Sequence, residues 1–289
     1  MISAADVSKL REATQASVMD CKKALEETEG NFDKALEVIK REGLLKADKK
    51  SGRTTEAGNI EAKINEEATK GALLELRSNT SFVSQSEEFR ILTQNLVEQV
   101  ITTGSPEITA ETLLTMPFIK DPSTTVAEVL KTNIAKFGEN IEIGNCAYIE
   151  APEGLVEAYI HNGGRVGVLL SLETDKKEVI KTENFKNLAH DLAMHIAAMN
   201  PMYISQENVP ANILEDKKAA ITKELIEANK PQDLLEKIAT GKLNDWKKEI
   251  CLLDQLYIKD PSLKISDWFN KEADKNGKVS VSKFIRFQA

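Results

Sequence analysis

Only three histidines and three cysteines stand in this 289-residue chain, which limits imidazole and thiolate chemistry to six positions. His190 and His195 lie five apart, about 140° around a helix axis, whereas a zinc pair needs i,i+4 on one face. Neither begins an H-E-x-x-H run, and His190-Asp191 point apart as neighbours, so the pair reads as one surface and one hydrogen-bonded core histidine. Cys21, Cys146 and Cys251 are far apart and form no C-x-x-C, which fits small buried thiols in a reducing compartment. Gly163-Gly164-Arg165-Val166-Gly167 is glycine-rich but precedes a strand. Phosphate cradles precede a helix, whose N-terminus supplies the field, so this run reads as a turn. Glu272-Ala273-Asp274-Lys275-Asn276-Gly277 begins like a calcium loop, yet its twelfth position is Lys283, where a bidentate Glu is required; Asn276-Gly277 reads instead as a hairpin turn. Acidic pairs such as Glu26-Glu27 and Glu87-Glu88 suit solvated helix faces. The expectation is a chain with no catalytic residue, metal site or cofactor of its own, and not an enzyme.

Charge and hydropathy narrow the partners. With 38 Lys+Arg against 46 Asp+Glu the formal charge is −8, which disfavours direct nucleic-acid binding because phosphate contacts need clustered cations. No apolar run approaches the ~20 residues of a membrane span. The first six residues have no basic start followed by an apolar stretch, so no secretory signal is expected and the predicted location is cytoplasmic.

The elements that would position any site are legible from periodicity. Val7 and Leu10, then Ala24 and Leu25, then Ala35, Leu36 and Ile39 predict three short helices. Ser17 and Asn31 are the expected N-caps of the second and third, and Gly30 and Gly43 the expected stops. Residues 47–56 lack apolar periodicity and read as a linker. Strand candidates at 71–76 and 166–172 are each followed by a polar segment and an amphipathic helix. Phe89, Leu92, Leu96 and Val100 match Phe185, Leu188, Leu192 and Ile196 at identical offsets, which predicts a duplicated α+β unit. Residues 155–160 and 166–172 flank Asn162-Gly163-Gly164 and predict an antiparallel hairpin. Residues 211–250 carry two apolar stripes interrupted at Asn229-Lys230-Pro231, and predict a helical hairpin. A helix around Trp268-Phe269 and an alternating strand at 279–285 close the chain.

One segment stands out. Asn79-Thr80-Ser81-Phe82-Val83 follows the first strand inside a run of small polar residues. Phe82 reads either as a core residue at a strand end or as a wedge that enters a partner's pocket.

Five ordered blocks resemble the bacterial translation elongation factor Ts family, the nucleotide-exchange factors of elongation factor Tu. The strongest is Met19-Asp20-Cys21-Lys22-Lys23-Ala24-Leu25 with Gly30-Asn31-Phe32-Asp33-Lys34-Ala35. The others are Thr80-Ser81-Phe82-Val83 with Glu88-Phe89; Phe137-Gly138-Glu139-Asn140-Ile141; Tyr159-Ile160-His161 with Gly164-Arg165-Val166-Gly167-Val168; and Met194-His195-Ile196-Ala197-Ala198 with Pro201. Ser282-Lys283-Phe284-Ile285-Arg286-Phe287 is similar to the family's closing strand. The resemblance covers essentially the whole chain. It implies a UBA-like module at 1–46, a linker at 47–57, a core subdomain at 58–140 and a second at 141–289. In the second, the protruding helical hairpin 211–250 is inserted and the strand 279–287 returns to the core.

The resemblance also implies a mechanism. The aromatic ring at Phe82, with Thr80, Ser81 and Val83 beside it, inserts near the magnesium site of GDP-bound elongation factor Tu. Mg²⁺ and the diphosphate are loosened, and the nucleotide-free partner is held. Met19 and Lys23 resemble further contacts, although Lys23 also reads as a solvated helix charge, and His161 resembles a core contact as well as a simple turn residue. The helical hairpin is open to a dimer contact, a partner contact or neither, so a homodimer is compatible with it. The chain departs from the family at Ser81, where Asp is usual, at Gly144-Asn145, where an arginine pair is usual, and at Gln15-Ala16-Ser17, which is less glycine-rich. The alternative function is an adaptor or chaperone-like partner of a GTPase without exchange activity.

Overall fold

A computed structural model describes residues 2–14, 16–50, 52, 54–228, 230–273 and 277–289; Asn229 and Asn276, named above in a break and a turn, lie outside them. Three helices come first: α1 (Ala4–Thr14), α2 (Val18–Glu27) and α3 (Phe32–Lys50). Ser17 accepts the Asp20 N–H and Asn31 accepts the Lys34 N–H, each at 3.1 Å, so both expected caps satisfy an orphan donor. Leu10, Cys21, Ala24, Leu25, Ala35 and Ile39 close a small core between the three helices. Gly30, at φ +83°, turns the chain after α2. Gly43 does not stop α3, contrary to expectation. A glycine inside a helix costs only about 1 kcal/mol, and the Leu44-Leu45-Lys46-Ala47 run beyond it favours helix, so α3 continues through the first four residues of the expected linker.

The body of the molecule is α+β, with antiparallel sheets built twice on one plan. In the first copy β1 (Ala57–Ile64) and β2 (Lys70–Ser78) form a hairpin. They lead into the single turn α4 (Ser81–Ser84) and the long helix α5 (Glu87–Thr103). Then come α6 (Ala110–Thr115), a small hairpin of β3 (Pro117–Phe118) and β4 (Asp121–Thr125), and α7 (Val126–Phe137). Strand β5 (Ile141–Glu150) returns to pair with β2. A division at residue 140 assigns β5 to the second half. Its pairing puts it in the first sheet, where Ile141, Ile143 and Tyr148 complete the core beneath α5 and α7.

The second copy opens with the hairpin of β6 (Gly154–His161) and β7 (Val166–Thr174). A 3-10 turn at Lys177–Val179 precedes α8 (Glu183–Met199). The chain then leaves the core as α9 (Ala211–Glu227) and α10 (Leu235–Ile250), and returns through β8 (Leu256–Tyr257), β9 (Asp260–Lys264) and α11 (Ile265–Ala273). Strand β10 (Val279–Gln288) closes on β7. The sheet orders β1-β2-β5 and β6-β7-β10 are the same.

Packing follows the matched offsets. Phe89, Leu92, Leu96 and Val100 are buried on α5, as are Phe185, Leu188, Leu192 and Ile196 on α8. Ser86 and Thr182 cap these helices, each accepting a phenylalanine N–H at 3.3 Å, and left-handed Gly104 and Asn200 end them. The two sheets meet face to face through Ile60, Leu73, Val156 and Leu169, with the helices on the outer faces. Gly71 of β2 and Gly167 of β7 occupy matching points. A Cβ would lie 2.6 Å from Val156 at the first and 2.5 Å from Ile60 at the second, so neither position tolerates a side chain.

The helical hairpin holds together along a seam of Ile221, Leu225 and Ala239. Its base is the cluster of Val209, Ile250 and Cys251 with Tyr203 and Trp246. The outgoing and returning chains are joined there: Met202 N–H donates to the Ile250 carbonyl at 2.8 Å, and Leu252 N–H to the Tyr203 carbonyl at 2.8 Å. Among the described residues no helix is long and apolar enough to cross a membrane.

Candidate partner-binding site

The connection between β2 and α5 is built in three steps. Ser78, the last residue of β2, is buried and donates its hydroxyl to the Thr80 carbonyl at 2.9 Å, folding the chain back on itself. Thr80 is extended (φ −125°, ψ 152°) and starts α4, closed by Ser84 N–H to the Thr80 carbonyl and Gln85 N–H to the Ser81 carbonyl. Ser86 donates its hydroxyl to the Val83 carbonyl at 2.7 Å and caps α5.

One helical turn sends consecutive side chains about 100° apart, and this sorts the four predicted residues. Val83 is 5% exposed and sits in the core with Leu76, Phe89 and Ile141; its side chain serves the fold. Phe82 is 87% exposed, the most exposed of the large apolar residues described. Ser81 is exposed beside it. Thr80 turns to a different element. Its N–H donates to Glu139 Oε2 at 3.0 Å and its hydroxyl to Glu139 Oε1 at 2.8 Å. Of the two readings open for Phe82, the core residue is excluded by its exposure.

The remaining predicted residues lie elsewhere. Met19, 59% exposed, and Lys23 lie one turn apart on α2, next to exposed Val18. His161 lies at the end of β6, where Asn162, Gly163 and Gly164 all have positive φ and form the expected turn. It is not isolated. The Tyr159 hydroxyl and His161 Nδ1 share a hydrogen bond of 3.0 Å, and the two rings stack at 5.9 Å. His190 of α8 meets the Tyr159 ring edge-on at 5.5 Å and donates from Nδ1 to Glu157 at 2.9 Å. Thus the structure gathers Thr80, Ser81, Phe82 and Val83 on one turn, and leaves the α2 pair and the hairpin histidine on two other elements.

The buried titratable groups, and partly buried Cys146, read as structural. His195 is fully buried, donates from Nε2 to Gln255 Oε1 at 3.0 Å and accepts the Ile258 N–H on Nδ1 at 3.3 Å; burial holds its pKa below the ordinary value. Burial likewise pushes the Cys146 and Cys251 thiols up to about 11, which leaves them protonated. Among the described residues no group of three His, Cys, Asp or Glu could hold a metal ion. The departures at Gly144 and Asn145 have a local partner. Arg77 binds buried Glu75 through two bonds of 2.7 and 2.9 Å, Asn145 donates to the same carboxylate, and a Cβ on Gly144 would meet Arg77 at 2.5 Å.

Two features escape a sequence reading of single sites. Glu139 and Asn79 hold the α4 connection, as described below. Ile119-Lys120-Asp121-Pro122-Ser123 is repeated as Ile258-Lys259-Asp260-Pro261-Ser262, a signal visible in the residues themselves. In both copies the Ser hydroxyl donates to the Asp carboxylate at 2.6 Å. In both, the Ile N–H is accepted by α5 or α8, by Gln99 in the first and His195 in the second.

Comparison with known proteins adds relatives along the whole chain. A family profile described as Elongation factor TS matches residues 79–289. The elongation factor Ts of Clostridium kluyveri is 37% identical over 289 residues, covering 100% of this chain and 92% of its own length. That of Clostridium botulinum is 37% identical over 289 residues, with 100% and 93% covered. That of Trichlorobacter lovleyi is 35% identical over 287 residues, with 99% and 92% covered.

Proposed function

The chain belongs to the elongation factor Ts family, and from that premise we propose that it releases GDP from elongation factor Tu in the cytoplasm by inserting Phe82 beside the partner's magnesium site. The carrying observation is the phenyl ring itself, 87% exposed on a turn that is anchored on both sides. Burying such a ring releases roughly 1.5–3 kcal/mol, which is unrealised in the free protein and becomes available in the complex. Spent against the magnesium site, it weakens GDP, because a divalent cation beside a diphosphate contributes strongly at short range. The exchange is a coupling: the protein binds nucleotide-free elongation factor Tu more tightly than the GDP form, and GDP reciprocally weakens the protein. No bond is made or broken, so no nucleophile or general base is required. Met19 and Lys23 on a UBA-like module and His161 on the β6–β7 hairpin extend the contact. Ser81 contributes a hydroxyl where the family usually has a carboxylate, so the ring carries more of the insertion.

The test is GDP release from elongation factor Tu loaded with a fluorescent GDP. Saturable acceleration at micromolar protein is expected, with added GDP competing against complex formation. No acceleration overturns the exchange reading, and binding that ignores GDP identifies the adaptor instead.

A further inference from the structure

The direction in which Phe82 points needs a cause. A single helical turn is far too short to hold itself, since nucleation is unfavourable and one turn closes few bonds. The ring, being exposed, gains no orientation from packing. What orients α4 is buried Val83 beneath it and a clasp at its start. Left-handed Gly138 (φ +77°) ends α7 and swings Glu139 and Asn140 against the α4 connection. There the two segments exchange hydrogen bonds. Thr80 gives both its N–H and its hydroxyl to the Glu139 carboxylate, at 3.0 and 2.8 Å. Asn140 gives its N–H to Asn79 Oδ1 at 2.7 Å, while the Asn79 amide donates onward to the Thr54 carbonyl. Thr80, at the N-cap position of α4, makes no side-chain cap bond to that turn, because its hydroxyl is committed to Glu139.

We propose that Glu139 is a positioning residue for exchange, with the Asn140–Asn79 bond closing the same clasp: its carboxylate clamps Thr80 and thereby fixes the direction of the Phe82 ring. This rests on the exchange reading above. A ring held in its inserting direction before encounter has little ordering entropy to lose on binding, whereas an unclamped turn samples other directions and presents the ring only part of the time. Glu139 itself need not touch the partner.

The experiment is a double-mutant cycle on single-turnover release of fluorescent GDP from elongation factor Tu, using the full chain. Bonds to a charged acceptor set the scale, so Glu139→Ala and Thr80→Val are each expected to lower the release rate about tenfold, with melting temperature little changed. Glu139→Gln is expected to recover most of the rate, because its amide oxygen still accepts the Thr80 N–H. The decisive readout is the pair: Glu139→Ala combined with Phe82→Ala should be no slower than Phe82→Ala alone. A Glu139→Ala protein as fast as wild type overturns the clamp, and so does a double variant slowed by the product of the two single effects. If Glu139→Ala does not fold, the same cycle is read with Thr80→Val. Wild-type protein that leaves release unchanged overturns the exchange reading, whereas fast wild type beside an equally fast Glu139→Ala overturns the clamp alone.

Discussion

Ahead of α5 the chain makes one helical turn and presents a bare phenyl ring; ahead of α8, 96 residues further on, it makes a 3-10 turn and presents Glu178 at the corresponding position. The residue that follows is a valine in both, Val83 beneath the first turn and Val179 beneath the second, and each packs against its own helix-sheet core. A hydroxyl cap, Ser86 or Thr182, and a buried phenylalanine begin the next helix in both. The two halves therefore match at the apolar positions that anchor each long helix, and they part at this outward position. The two copies share a scaffold, and an exposed phenyl ring ahead of the long helix is found on the first alone. An apolar ring left in water contributes nothing to folding, so neither this ring nor the charge in the other copy is required by the scaffold itself.

Four measurements would break or sharpen that equivalence. The largest effects are expected in the cores: Phe89→Ala and Phe185→Ala should each cost about 3–5 kcal/mol in denaturant unfolding, by similar amounts. A large inequality would mean that one half carries the stability of both. Next comes the outward position. Phe82→Ala should slow GDP release about a hundredfold with stability nearly unchanged, as for a central interface residue, while Glu178→Ala should leave release within about twofold. Equal slowing by both would remove the functional distinction between the halves.

A smaller effect separates Gln99 from His195, which hold the same backbone N–H in the two copies. Burial lowers the His195 pKa, so the unfolded chain takes up the proton first as pH falls. Stability from this group is present above the ordinary histidine value and is lost as pH falls from there towards the lowered one. His195→Gln, a copy of the first half's solution, should flatten the fall in melting temperature on acidification. A variant as pH-sensitive as wild type would show that protonation of this histidine does not set the acid sensitivity of the second half. The smallest effect belongs to the surface pairs Lys120–Glu98 and Lys259–Asp191, both 2.7 Å and half exposed. Removing either lysine should cost about 0.2–1 kcal/mol in urea unfolding, and more would mean that these pairs help hold the small hairpins on their helices.

Much of this plan is legible in the residues. The offsets of Phe89 and Phe185 define both long helices, and the glycines after His161 define the hairpin, because periodicity and positive φ are local properties. Phe82 stays ambiguous in sequence, since one turn is too short for a period to show which side faces inward. Glu139 is silent for another reason: its partner Thr80 is 59 residues away, and nothing in a helix cap predicts a donor at that distance. The Ile-Lys-Asp-Pro-Ser repeat is visible but out of step with the helices. Its copies lie 139 residues apart while the helices lie 96 apart, because α9 and α10 interrupt the second unit. Gly43 misleads because a weak local preference yields to the helix formers that follow it.

That interruption has a practical side. The chain leaves the second unit at Tyr203 and returns at Cys251 beside it, with Leu253 N–H to the Ile204 carbonyl at 3.0 Å sealing the junction, and the first unit spans the corresponding place in residues 104–109. A gap so narrow behaves as a socket. The hairpin is therefore tied to the core at a single closed junction, so its length and tip can vary without any change in the strands and helices that the junction joins.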